Sequence, residues 1–103
     1  MSKTIEQKHL IGGQEYTLTY NFNTLCNAEG ATGQSMMRVD DNLSMRTISG
    51  LFWAALQDKH PMERKTANLL IDQAGPFVVA DWVTEGIGDY MTGVMDGDKK
   101  AAA

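Results

Sequence analysis

The sequence predicts an α+β fold: an N-terminal two-stranded antiparallel hairpin packed on a small bundle of about four helices. Three observations predict it. Two alternating runs, "TIEQKHLI" at 4–11 and "EYTLTY" at 15–20, flank the pair Gly12-Gly13, which is a hairpin signal. After Tyr20 the apolar residues recur at helical rather than strand spacing. Caps and breakers at Asn21, Gly33, Ser44, Pro61 and Pro76 then divide the rest of the chain into helical stretches.

The hairpin register follows from its turn. With Ile11 opposite Gln14, His9 faces Tyr16, Gln7 faces Leu18 and Ile5 faces Tyr20. Those pairs share the more apolar face. Glu6 and Lys8 stand with Thr19 and Thr17 on the other. A lone hairpin is marginal in water, so its apolar face must rest on the helices.

The first helix begins directly after the second strand. Asn21 is its N-cap, Tyr20 and Leu25 form a hydrophobic staple, and Gly33 is a left-handed C-cap. Phe22, Leu25 and Cys26 fall on one helical face, which predicts a small buried thiol at Cys26. Glu29 continues that apolar line. Its carboxylate either reaches water at the rim of the core or forms an internal ion pair with Arg46 or Arg38, a structural charge that sets how this helix meets the rest.

Residues 34–43 are a polar connector with room for one turn around Met36 and Met37. Ser44 caps a helix over about 44–58, striped by Met45, Ile48, Phe52 and Ala55 and widened by Leu51 and Leu56; it is predicted to be central. Pro61 suits the first turn of a helix running to Ala74. Gly75-Pro76 breaks that helix and opens the last one, where Val79, Val83, Ile87, Tyr90 and Val94 line one side beside Trp82. Gly86, Gly88 and Gly93 lie inside this helix, each at about 1 kcal/mol relative to alanine, so its second half needs a packing partner. Residues 1–96 read as one domain and 97–103 as a disordered tail.

Composition narrows the function. The 103 residues carry a net charge of −4 and no long Lys/Arg run, which argues against nucleic acid as a partner. One cysteine excludes an internal disulfide and fits a reducing compartment. No apolar run is long enough to span a membrane, and "MSKTIEQK" lacks the apolar core of a secretory signal, so a cytoplasmic protein is expected. No catalytic constellation, metal set or cofactor motif is visible. His9 and His60 lack ligand-spaced partners, and a thiol enzyme would have to join Cys26 to one of them. Gly12-Gly13 is no phosphate loop, because no helix and no Lys-Ser/Thr signature follow it. Asp81, Glu85 and Asp89 repeat at i+4 opposite the apolar stripe. That is a solvated face, or a docking strip for a basic partner.

Three segments resemble the small tail assembly chaperones of long-tailed phages, prophages and phage-derived gene transfer agents. They are "YNFNTLCNAEGATG" at 20–33, "MRTISGLFWAALQDKHP" at 45–61 and "NLLIDQAG" at 68–75, in the family's order. The resemblance implies a non-enzymatic role in the bacterial host cytoplasm. Such proteins bind the tape measure protein, a long and largely helical chain, and keep it soluble until tail tube subunits polymerise around it. The tail tube protein is then a second partner. A structural tail or head–tail completion protein is the alternative. Under the chaperone reading Trp53, Trp82, Tyr90 and Met91 are the expected contact residues; the alternative for the three aromatics is a place in the core. Seven methionines suit surfaces that accept varied apolar partners. Exposed apolar patches would also favour a homo-oligomer when no client is present.

Overall fold

The computed structural model describes residues 4–37 and 43–102. Strands β1 (Ile5–Ile11) and β2 (Gln14–Tyr20) form an antiparallel hairpin, followed by helices α1 (Phe22–Thr32), α2 (Met45–Leu56), α3 (Arg64–Ala74) and α4 (Pro76–Ala102). The fold is α+β, with the hairpin laid on the helices. The register is the one predicted, from Ile11 opposite Gln14 to Ile5 opposite Tyr20. Gly12 and Gly13 both take positive φ, as a two-residue turn between twisted strands requires.

Local chemistry sets the helix ends. The Asn21 side chain accepts the N–H of Thr24 at 2.9 Å. The Thr24 hydroxyl donates to the Thr19 carbonyl at 2.9 Å, which ties the strand end to the helix start. Gly33 is left-handed and its N–H reaches the Glu29 carbonyl. Ser44 caps α2 by accepting from the N–H of Thr47. Residues 36 and 37 lie in a 3₁₀ turn, where a single turn was expected.

Helix α3 starts later than Pro61 suggests. The Trp53 Nε1–H and Gln57 Nε2–H groups both donate to the Met62 carbonyl, at 2.8 and 3.1 Å. These bonds tie the 61–63 segment to the end of α2, and Glu63 is extended as it enters the helix at Arg64. The carbonyl is taken up by side chains instead of starting a helical ladder.

Helix α2 is central and touches every other helix and β2. Ile48, Leu51, Phe52, Ala55 and Leu56 are buried, while Met45 at its first position is exposed. Val79, Val83, Ile87 and Tyr90 of α4 complete the core with Leu18 and Tyr20 of β2. Thr19 corrects a simple inside–outside hairpin, because it is buried although it lies on the more polar face. Helix α4 continues to Ala102, through the residues for which a disordered tail was expected. No proline interrupts it, and alanine is the strongest helix former.

Two glycines permit close helix packing. A Cβ at Gly50 would strike the Thr32 side chain, so this position lets α1 and α2 approach. A Cβ at Gly86 would enter the Tyr20 ring, so the glycine admits that ring against the backbone of α4. The Tyr20 hydroxyl then donates to Gln7 Oε1 at 3.0 Å, and Gln7 Nε2 donates to the Trp82 carbonyl at 2.9 Å. One buried ring and one glutamine thus join both strands to α4. Burial also pushes the Tyr20 phenol well above its usual pKa.

Candidate functional site

A markedly apolar hollow lies between α1 and the second half of α4. It encloses about 330 Å³. Helix α1 contributes Phe22, Leu25, Cys26 and Glu29 to its wall. Helix α4 contributes Tyr90, Met91 and Val94, and Met36 and Met37 close one end. Leu25, Met36 and Tyr90 are buried and form the base, whereas Phe22 and Met37 are 72% and 84% exposed.

Local sequence builds this site. The Asn21 cap fixes the start of α1 immediately after β2, so Phe22 and Cys26 stand at its outer edge. The Gly33 C-cap turns the chain back, and Glu29 fastens the returning segment: its carboxylate accepts the N–H of Met36 at 2.9 Å. That bond explains a charge in line with apolar residues. Glu29 is exposed and holds the Met36–Met37 turn against the hollow. It forms no ion pair with Arg46 among the described residues, and its exposed carboxylate matches the rim position that the sequence offered as the other reading. Arg46 lies instead beside the α2–α3 groove, and Arg38 lies outside the described residues.

Cys26 is exposed rather than a core thiol. Its helical face does point at α4, but the two helices leave a gap that no residue of either fills. The imidazoles are engaged elsewhere. His60 Nε2 accepts the N–H of Thr17 at 3.0 Å, and His9 stacks on Trp82 with ring centroids 3.8 Å apart. Burial lowers the pKa of His9, partly opposed by the nearby Glu85 carboxylate. Among the described residues no three His, Cys, Asp or Glu side chains gather to hold a metal ion. Among them, too, no helix is long and apolar enough to cross a membrane.

Of the four expected contact residues, the structure brings Tyr90 and Met91 together in the hollow and leaves two elsewhere. Trp53 is half-buried, bonded to Met62, with the Arg64 guanidinium 5.9 Å from its ring centre. Trp82 is half-buried against His9. Phe22, Leu25 and Cys26 were legible as one apolar face. What the sequence did not reveal is that this face is only partly covered.

Two other depressions among the described residues are more polar. A larger one of about 420 Å³ follows the α2–α3 groove and carries arginines. A smaller one of about 150 Å³ is lined mainly by Asn21, Asn23, Asn27, Gln57 and Asp58. Size alone would favour the arginine-lined groove. Lining chemistry selects the α1–α4 hollow as the place for an apolar ligand.

No protein-family model, curated protein or solved structure matches this chain.

Proposed function

We propose that the protein is a tail assembly chaperone that binds apolar helical segments of a phage tape measure protein in the α1–α4 hollow. The observation that supports this most is the hollow itself: a recess with a buried apolar base and an exposed rim of Phe22, Met37 and Cys26. Its shape suits the side chains of an amphipathic helix, which anchors apolar residues in a groove. Methionine on the α4 wall and at the closing end lets the groove adapt to clients of differing shape. Binding there requires no bond to be made or broken. Many weak sites along one long client would act together through multivalency, so each contact can remain reversible. Tail tube subunits would displace the chaperone as they polymerise.

Co-expression with fragments of the tape measure protein tests this reading. Soluble yield of the fragments should rise with the wild-type chain and not with Phe22→Asp. Phe22 is largely exposed, so that substitution should change stability by no more than about 0.5 kcal/mol. An equal yield with and without the chain would refute the proposal. Mass spectrometry of purified particles tests the alternative of a structural tail or completion protein, since many retained copies would favour a virion component.

A further inference from the structure

The groove between α2 and α3 carries a different chemistry. Met45, Ile48, Ile71 and Pro76 give it an apolar floor, and Arg46 and Arg64 stand beside that floor. Arg64 is held in place. Its Nη2–H donates to Ser49 Oγ at 3.2 Å, its Nη1–H reaches the Ala31 carbonyl at 3.4 Å, and its guanidinium lies near the Trp53 ring. Its Nε is buried with no hydrogen-bond partner. Among the described residues neither arginine has a carboxylate within ion-pair distance. Asp72 also lines the groove, beyond that reach of both. Arg64 is bonded to Ser49, three residues after Arg46 on α2, so both cations line the same groove.

Both cations are placed against the interest of their own helices. Arg46 is the second residue of α2 and Arg64 the first of α3, at the positive ends of the helix dipoles. The opposite imbalance appears on α4. Asp81, Glu85 and Asp89 are all exposed and repeat one turn apart, a spacing at which like charges repel. Phe77 is 77% exposed one turn before Asp81, and Gly88 within the same face has open space above it. Among the described residues no ion pair joins this stripe to a cation.

We propose that the α2–α3 groove receives the Phe77–Asp89 face of α4 from a second copy of this chain. Phe77 seats on the apolar floor, and carboxylates of the stripe meet Arg46 and Arg64. Each side relieves a charge imbalance that the isolated chain leaves in place. None of the residues lining the client hollow lines this groove, so self-association leaves the hollow open.

Sedimentation velocity on the full chain tests the contact. Wild type should associate at about 0.01 M salt and dissociate toward about 1 M, where screening shortens to a few ångströms. Arg46→Glu and Glu85→Lys should each weaken association at least about tenfold. An equimolar mixture of the two variants should recover it, because the reversed groove meets the reversed stripe. Arg46→Glu adds an acid at a helix N-terminus and should leave the fold intact, as circular dichroism will check. A monomer at every salt concentration overturns the proposal, as does association unaffected by either substitution. Association abolished by Met37→Glu but not by Arg46→Glu would assign it to the client hollow instead. A monomeric chain that binds an unrelated acidic amphipathic peptide through Arg46 would show that the occupant is not a second copy. Failure of any of these arms leaves tape measure co-expression as a separate question.

Discussion

Helix α4 makes two junctions of opposite character. Against the hairpin it is sealed: Gly86 admits the Tyr20 ring, Gln7 bridges to the Trp82 carbonyl, and His9 stacks on Trp82. Against α1 it is open: Tyr90, Met91 and Val94 face Phe22 and Cys26 across a hollow. The difference lies in side-chain choice. The sealed junction uses a rigid aromatic, a glycine and the Tyr20–Gln7–Trp82 hydrogen bonds, which specify one geometry. The open junction uses methionines and a thiol, which conform to whatever enters. Stability is concentrated at the first junction and adaptability at the second.

The largest expected effect breaks the sealed side. Gly86→Ala forces a methyl into the Tyr20 ring and should lower unfolding free energy by about 1–3 kcal/mol in urea titrations. Gly88→Ala, two residues away with open space around it, should raise it by up to about 1 kcal/mol. Equal shifts from the two would mean that Gly86 is not a packing device.

A smaller effect is expected at the open side. Glu29→Ala removes the acceptor for the Met36 N–H and should cost about 0.5–1.5 kcal/mol in thermal melts. Capture of client fragments should fall by more than that loss of stability explains, because the Met36–Met37 wall is no longer fastened. Unchanged capture would separate Glu29 from the site.

The smallest effect concerns pH at the sealed junction. Burial disfavours the charged form of His9, so its folded pKa lies below the usual 6.5. The unfolded chain therefore binds the proton more readily, and the stabilisation present above pH 6.5 is lost as pH falls through the folded value. Glu85 opposes the shift without cancelling it. His9→Gln should flatten this part of the stability–pH curve below pH 6.5. An identical slope in the variant would assign the acid sensitivity elsewhere.

The hairpin register, the Asn21, Gly33 and Ser44 caps and the start of α4 at Pro76 were all readable from sequence. Each depends on residues within a few positions of one another. The features that escaped depend on distant partners. Cys26 shares a helical face with Phe22 and Leu25, and periodicity predicts burial for all three. Only the angle between α1 and α4 decides that Leu25 is covered while Cys26 is not. Gly86 reads as a weak point in a helix until Tyr20, far off in sequence, is found lying on it. Pro61 reads as a helix start, yet Trp53 and Gln57 take the Met62 carbonyl and delay the helix to Arg64. The exposed rim position of Glu29 was one of the two readings the sequence offered, but its backbone partner seven residues later carries no sequence signature.

Alkylation of Cys26 provides the most direct test of the open junction, since this thiol lies on the wall of the hollow and is exposed in the free chain. A soluble complex with a tape measure fragment should be alkylated at least about tenfold more slowly than the free protein, as expected when an occluded site must first open. If the fragment is held soluble while Cys26 reacts at the rate of the free chain, the client binds elsewhere, and the role assigned to the α1–α4 hollow is contradicted.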